Sequence, residues 1–289
     1  MVFRIIAFVM LLNCTFMSLR VLASLDALAN GASSGDVGIL FALLCFFPVF
    51  LAIPCGRWID RAGYHKPMLV TAACFFAGAV VPSLIRPAAL GLWPLYFCAV
   101  ANGLGSMVLA IGSNYLVGAV STPDTRTKFF AWLTMGNSAA GLSAPVIAGH
   151  VVDAFGFVQA YWVSAGFATA GFCVYVLTTR LLKSIRLPQP RQRPKHSLDL
   201  LKNPLMLRIL VISGVVSMAW DLETFMFPVY GNLVGLSASN IGWLVGVFYA
   251  ANFVVLFAQS RLSRIVSDWQ CLTFCLVVTA LGYFLFPNF

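Results

Sequence analysis

Apolar residues are grouped into long runs that are separated by short polar segments. Each run covers roughly 20 residues, the length that an α-helix needs to cross a bilayer core about 30 Å thick. The pattern predicts transmembrane helices at residues 3–22, 37–55, 67–85, 93–118, 129–150, 157–180, 206–230, 240–260 and 270–288. A membrane β-barrel is excluded, because its strands alternate over about ten residues. The first run also has features of a signal peptide, with Arg4 before it and Val21-Leu22-Ala23 near its end.

The composition agrees with a protein embedded in a membrane. Of the 289 residues, 61% are hydrophobic and 9% are charged, whereas a soluble domain has about 25% charged residues. This excludes a soluble enzyme, a disordered regulator and a secreted disulfide scaffold. The net charge of +9 does not indicate a nucleic-acid partner, because the charges fall in the gaps between apolar runs. The cysteines show no CxxC or Cys/His spacing, so we expect no metal and no cofactor.

Lysine and arginine positions predict the orientation. All 18 of them except Arg20 and Arg86 fall on one side of the predicted helices. Because these residues are retained in the cytoplasm, we expect a multi-pass plasma-membrane protein, in the inner membrane of a bacterium, with a cytoplasmic N-terminus. The basic segment 182–205 is predicted to be a cytoplasmic linker between a six-helix bundle, 1–181, and a partial bundle of three helices, 206–289. Binding of anionic lipid is the alternative interpretation of this segment.

The chain repeats itself at a constant offset of 204 residues. The matching pairs are Gly31 with Gly235, Ser33 with Ser237, Asp36 with Asn240, Val37 with Ile241, Gly38 with Gly242, Leu40 with Leu244 and Arg57 with Arg261. Asp36 and Asn240 are predicted to be helix N-caps, so part of the match reflects shared turn chemistry. The full set favours a duplication in which the first helix corresponds to the seventh.

The segment between the second and third helices carries the most specific motif. It reads Gly56-Arg57-Trp58-Ile59-Asp60-Arg61-Ala62-Gly63-Tyr64-His65-Lys66 and resembles the signature loop GxxxDRxGRR of the major facilitator superfamily. The resemblance implies an all-α polytopic fold, with a substrate site near the membrane midplane between two bundles. It also implies that Gly56, Asp60, Arg61, Gly63 and Lys66 form a conformational latch at the cytoplasmic face. The alternative is a positively charged anchor, which explains the arginines but neither Asp60 nor the glycine spacing.

Two further helices resemble family motifs less closely. The fifth helix has a face of small residues and proline, formed by Ala140, Ala144, Pro145 and Gly149. This face is similar to the GxxxGPxxGG motif associated with exporters of the antiporter type, and a plain packing face is the alternative. In the fourth helix, the stretch around Asn102 resembles the family's RxxQGxG motif. Ala99 occupies the arginine position, so the role in proton coupling is not carried over.

Three ionisable residues are predicted to lie at membrane depth, namely Arg20, Asp221 and Glu223. Such groups cost about 2.5 to 3.5 kcal/mol each on insertion scales, which makes them functional candidates. We expect Arg20 to pair with Asp221 or Glu223 across the halves and to form an outer gate or coupling site. The alternatives are snorkelling of Arg20 to the headgroups and an interfacial position for the carboxylates.

Four asparagines are candidates for lining a polar cavity, or for joining helices by hydrogen bonds. They are Asn13, Asn102, Asn137 and Asn252. The sequence contains no ATP-binding GxxxxGK[ST] loop, so a gradient would supply the energy. A cavity with few charges favours a neutral, amphipathic or monovalent solute.

These observations predict a secondary active transporter of a small solute that works by alternating access. Proton-coupled export, of the drug or metabolite efflux type, is the favoured direction. A membrane enzyme is disfavoured, because the three histidines are scattered along the chain. Family members normally have twelve helices, so nine predicted helices suggest truncation. The alternative function is a non-transporting remnant, or a membrane interaction partner, derived from such a transporter.

Overall fold

The computed structural model describes residues 2–86, 91–182, 203–262 and 267–285. Within these ranges the chain is helical and contains no strand, which confirms the predicted all-α polytopic fold. The helices are α1 Val2–Ala29, α2 Ser34–Ala62, α3 His65–Leu84, α4 Trp93–Val120, α5 Pro123–Phe155, α6 Phe157–Leu182, α7 Pro204–Leu233, α8 Ala238–Leu262 and α9 Asp268–Leu285. In the described part, the eight helices α1 to α8 are long and apolar enough to cross a membrane. Most of the predicted linker lies outside the described residues.

Most of the helices extend beyond the apolar runs that predicted them. The second helix continues to Ala62 instead of ending at residue 55, and the fifth begins at Pro123 instead of residue 129. A helix continues past the hydrocarbon until its backbone is capped, and here Gly63, at φ +73°, ends α2. Gly56, Asp60 and Arg61 therefore belong to the last turns of α2. The predicted signature loop is mainly a helix end followed by a two-residue turn.

The turns that follow α1 and α7 have the same backbone conformation. Gly31 and Gly235 both adopt positive φ, at 81° and 75°. In each turn the backbone amide of the residue after the glycine donates a hydrogen bond to the carbonyl five residues earlier. The N–O distances are 3.0 Å after α1 and 2.8 Å after α7. This is the Schellman arrangement that glycine permits at a helix end. The repeat at an offset of 204 therefore extends to backbone hydrogen bonding.

The helices after these two turns are capped by serine. Ser33 Oγ accepts from the amide of Asp36 at 3.2 Å, and Ser237 Oγ accepts from that of Asn240 at 3.3 Å. The prediction that Asp36 and Asn240 are the N-caps was therefore wrong, because both stand three residues into the capped segment. Asp36 completes a capping box by accepting from the amide of Ser33 at 2.8 Å.

Helix α1 lies at the centre of the bundle. It contacts α2, α3, α4, α5, α6 and α7, and its residues from Ser18 to Ala27 are all buried. Helix α5 packs along α8 in the most extensive helix contact of the described structure. Short turns make consecutive helices antiparallel, so the bundle has two ends. We call them the Asp60 end, where α2 ends, and the Asp153 end, where α5 ends.

Candidate functional site

A cavity of about 720 Å³ is bordered by α1, α2, α4, α5, α7 and α8. This volume lies within the range of roughly 300 to 1,000 Å³ that is typical of small-molecule sites. Along α1 the lining extends from Val9 to Arg20, and along α2 it extends from Leu44 to Ala52. Most of the lining is apolar, and isolated amide and hydroxyl groups interrupt it. The cavity therefore offers few, separate polar contacts to a solute.

An ion pair between α1 and α7 lies at the edge of this cavity. Arg20 Nη2 donates to Asp221 Oδ1 at 2.7 Å, a charge-assisted hydrogen bond between residues 201 positions apart. The Arg20 side chain is 4% exposed, whereas that of Asp221 is 49% exposed. The guanidinium carbon also lies 4.9 Å from the centre of the Phe41 ring, within the range of a cation–π contact.

Of the two carboxylates predicted to face Arg20, the structure brings Asp221 to it. Glu223 is partly buried and is not among the residues that line the cavity. Positions 221 and 223 are separated by about 200° around a helix, so the two side chains point in different directions. The role of the Arg20–Asp221 pair as a gate stays a prediction.

Three of the four predicted asparagines line the cavity. Asn13 of α1 donates to Asn137 of α5 at 2.9 Å, and Asn252 of α8 donates to Ser138 of α5 at 3.1 Å. These bonds connect α5 to helices on both sides of it. Asn102 does not line the large cavity. It is buried in α4, where it donates to the carbonyl of Phe16 at 3.1 Å.

One side of the predicted small-residue face of α5 packs closely against α8. A Cβ atom on Gly149 would overlap the carbonyl oxygen of Ala238, and a Cβ on Gly242 would overlap that of Pro145. Glycine at these positions lets the two backbones approach. The contact lies toward the Asp153 end.

The other side of the α5 face points toward α1. Ala140 and Ala144 are fully buried and share an apolar cluster with Cys14. The predicted face therefore separates into one surface against α1 and another against α8. Both surfaces have a packing role, and an association with export stays a prediction.

Asp153 joins α5 to the start of α8. Its two carboxylate oxygens accept from the backbone amides of Ala238 and Ser239, at 3.1 and 2.9 Å. A carboxylate at a helix N-terminus satisfies free amides and interacts favourably with the helix dipole. The predicted fifth helix stopped at residue 150, whereas α5 continues to Phe155 and so includes Asp153. Because its partners are backbone amides, no side-chain pattern could have identified them.

A buried ion pair holds the Asp153 end of α1. Asp26, which is fully buried, accepts two hydrogen bonds from Arg86, at 2.9 and 3.2 Å. The first predicted helix stopped at residue 22, whereas α1 continues to Ala29 and so includes Asp26. The turn glycine Gly31, followed by the capping Ser33, was the signal that could have extended the helix. This pair joins α1 to the chain between α3 and α4.

The predicted latch residues lie on the surface of the Asp60 end. Asp60, Arg61 and Lys66 are exposed, and Asp60 and Arg61 make no ion pair with another described residue. The neighbouring Tyr64 is buried, and burial raises the pKa of its phenol to about 12. His65 Nδ1 lies 2.8 Å from the hydroxyl of Tyr175, which joins this turn to α6. The latch itself stays a prediction.

Comparison with known proteins identifies the family. The sequence profile of the Major Facilitator Superfamily matches residues 5–288. The chain belongs to the Major Facilitator Superfamily. The resemblance found in the sequence is thereby confirmed.

The superfamily relatives include bacterial transporters. Multidrug resistance protein MdtH of Citrobacter koseri is 24% identical over 233 residues, which cover 79% of this chain and 55% of MdtH. Inner membrane transport protein YajR of Escherichia coli K12 is 26% identical over 162 residues, which cover 56% of this chain and 34% of YajR. The chain thus spans about half the length of MdtH and about a third of YajR.

Two solved transporter structures share the fold. A POT family transporter in complex with 5-aminolevulinic acid superimposes with a TM-score of 0.54 at 18% sequence identity, and the match covers 81% of this chain and 49% of that one. A POT family transporter in complex with a thioalcohol-conjugated peptide gives a TM-score of 0.53, also at 18% identity. At this identity the similarity establishes the fold alone.

Proposed function

We propose that this chain acts in secondary transport of a small solute by alternating access, with the large cavity as the solute site. The observation that carries this proposal is the Arg20–Asp221 ion pair, which crosses between the first six helices and α7 at the edge of the cavity. Alternating access requires a contact between the halves that closes one side of the site and can be broken. An ion pair with one half-exposed partner meets that requirement.

Further contacts support closure at the Asp153 end. The carboxylate of Asp153 holds the start of α8, and the glycine contacts bring α5 and α8 together nearby. At the other end, the first turns of α7, residues 204–211, are exposed. We therefore interpret the structure as a conformation that is closed at the Asp153 end and open at the Asp60 end.

The orientation follows from the charge distribution. With the N-terminus in the cytoplasm, the Asp60 end is cytoplasmic and the cavity opens inward. The name of the relative MdtH, a multidrug resistance protein, supports export as the direction. We place the protein in the plasma membrane, or the inner membrane of a bacterium.

The cavity chemistry favours a neutral or monovalent amphipathic solute. The charges of Arg20 and Asp221 compensate each other, and the remaining polar groups of the lining are uncharged side chains, mainly amides and hydroxyls. A proton on Asp221 would remove the negative charge that holds Arg20. A cationic solute group beside Asp221 would instead share that charge with Arg20. Either event weakens the ion pair and favours opening of the Asp153 end, which couples binding to the conformational change.

Flux measurements in proteoliposomes test this proposal. The full chain is reconstituted with pyranine inside the vesicles, and a proton gradient is imposed. Ethidium serves as a monovalent aromatic probe, and 5-aminolevulinic acid serves as the ligand of the solved POT relative. We expect flux of at least one probe that depends on the gradient and that is accompanied by a change in internal pH.

Two arginine substitutions, one a test and the other its matched control, show whether these fluxes depend on the ion pair. Arg20→Met removes the buried guanidinium, whereas Arg208→Met changes an exposed arginine of α7 near the Asp60 end. We expect loss of coupled flux in the first variant and unchanged flux in the second. Equal flux in the wild type, in Arg20→Met and in empty liposomes would contradict the proposed function.

A further inference from the structure

Two of the buried polar atoms that lack a hydrogen-bond partner among the described residues belong to facing side chains of α1 and α4. They are Nε of Arg20 and Oδ1 of Asn102. The Asn102 amide cannot satisfy its oxygen by rotating, because its nitrogen already donates to the carbonyl of Phe16. Buried polar groups in folded proteins are almost always hydrogen-bonded to protein or to ordered water. One donor and one acceptor on neighbouring helices therefore require a partner.

A second, small cavity is lined by the two residues that carry these atoms. It has a volume of about 10 Å³, and it is also lined by Ser24, Cys98 and Ala99. A water molecule needs about 10 to 15 Å³ of such volume and two to four polar partners. The small cavity is close to that lower limit, and it is much too small for a solute.

We propose that a single water molecule binds in this cavity and bridges Nε of Arg20 to Oδ1 of Asn102. The water accepts from the arginine and donates to the asparagine. We assign its second hydrogen to Ser24, which also lines the cavity and whose hydroxyl donates to the carbonyl of Arg20 and keeps lone pairs available. The three partners come from α1 and α4, so the water belongs to the first six helices.

The bridge determines which partner of the ion pair moves. Arg20 is then fixed on the side of the first six helices by the Phe41 ring and by the water, while only its Nη2 atom reaches α7. Asp221 has the more exposed side chain. We therefore expect Asp221 to leave with α7 while Arg20 stays in place. This consequence rests on the proposed function, whereas the water site does not.

X-ray hydroxyl-radical footprinting tests the water site directly. Radiolysis of a bound water modifies the side chains beside it, and Cys98 lines the small cavity although it is fully buried. Cys14 is the internal control, because it is also buried but lines neither cavity. In the full chain in nanodiscs, we expect oxidation of Cys98 to be several-fold faster than that of Cys14. We also expect neither cysteine to react with maleimide.

Two variants connect the oxidation to the cavity. Ala99→Val fills the small cavity, and Asn102→Leu removes the acceptor while keeping a similar side-chain size. In each variant that remains monodisperse, Cys98 oxidation is expected to fall to the rate of Cys14. Equal rates in the wild type, an unchanged rate in a folded variant, or maleimide labelling of Cys98 would overturn the proposal. None of these readouts depends on transport, so a failure here is distinguishable from a failure of the proposed function.

Discussion

Removal of the Asp221 carboxylate is expected to open the Asp153 end of the cavity. In Asp221→Ala the guanidinium of Arg20 loses its charged partner. Breaking a buried ion pair costs about 3 to 5 kcal/mol, and an exposed pair contributes about 0 to 1 kcal/mol. The Arg20 side chain is 4% exposed and that of Asp221 is 49% exposed, so this pair falls between these limits. We adopt about 2 kcal/mol, in the range for a hydrogen bond to a charged group.

This free energy sets the expected shift between conformations. A contact that exists only in the closed state contributes its full free energy to that state. Loss of about 2 kcal/mol therefore raises the population open at the Asp153 end by about 30-fold relative to the closed one, because about 1.4 kcal/mol is tenfold. Arg20→Met removes the same contact. The double variant is expected to match Asp221→Ala and not to add to it.

Sided labelling of Cys45 measures this shift. Cys45 lines the large cavity and is exposed. An impermeant maleimide is added to right-side-out or inside-out vesicles, and modification of Cys45 is quantified by mass spectrometry. Asp124→Ala, which changes an exposed carboxylate at the start of α5, is the matched control. Labelling from the Asp153 side at the wild-type rate in Asp221→Ala, or additive effects of the two substitutions, would show that the ion pair does not hold this end closed.

Substitutions at three further contacts, each of them near the site, test the account of how the helices are held. Gly242→Val places a side chain against the backbone of α5 and is expected to raise Cys45 labelling from the Asp153 side. Its repeat equivalent Gly38→Val, where a Cβ meets nothing within 4 Å, is expected to leave labelling unchanged. Asp153→Ala loses two hydrogen bonds to α8 and is expected to raise Cys45 labelling from the Asp153 side. Asp153→Asn keeps one acceptor oxygen, so its labelling rate should rise less. Equal labelling rates in the two variants would contradict a role of these hydrogen bonds. Asp26→Asn weakens a buried ion pair within the first six helices and is expected to cost about 3 kcal/mol of stability. Thermal unfolding in detergent is expected to show this loss as a lower melting temperature, while the sidedness of Cys45 labelling stays unchanged. An unaltered melting temperature would contradict the predicted loss of stability.

Much of the fold could be predicted because bilayer thickness fixes the length of an apolar run. The runs located every described helix, and they failed mainly at helix ends, where capping decides the boundary. Asp26 shows the effect, because the apolar run stops before the helix does. Asp36 shows a related error, since the carboxylate looked like a cap while Ser33 performs that role.

The candidate site could be predicted only in part. Depth along a helix indicated that Arg20 would meet a carboxylate of the seventh helix. It could not choose between Asp221 and Glu223, because the choice depends on the rotation of α7 about its axis. The contact of Asp153 with α8 could not be predicted from the sequence, for a different reason. Its partners are backbone amides, which exist at every helix start and leave no mark in the sequence.

The proposed mechanism requires the two ends of the cavity to open alternately. Double electron–electron resonance tests it directly, on a chain whose native cysteines are replaced by serine. One pair of spin labels is placed at the exposed residues Asn30 and Leu236 of the Asp153 end, and another pair at Arg61 and Arg208 of the Asp60 end. We expect two distances at each end, one for the closed and one for the open state. In Asp221→Ala the long distance at the Asp153 end should gain population, while the long distance at the Asp60 end loses it. A single distance at both ends that Asp221→Ala leaves unchanged would rule out alternating opening.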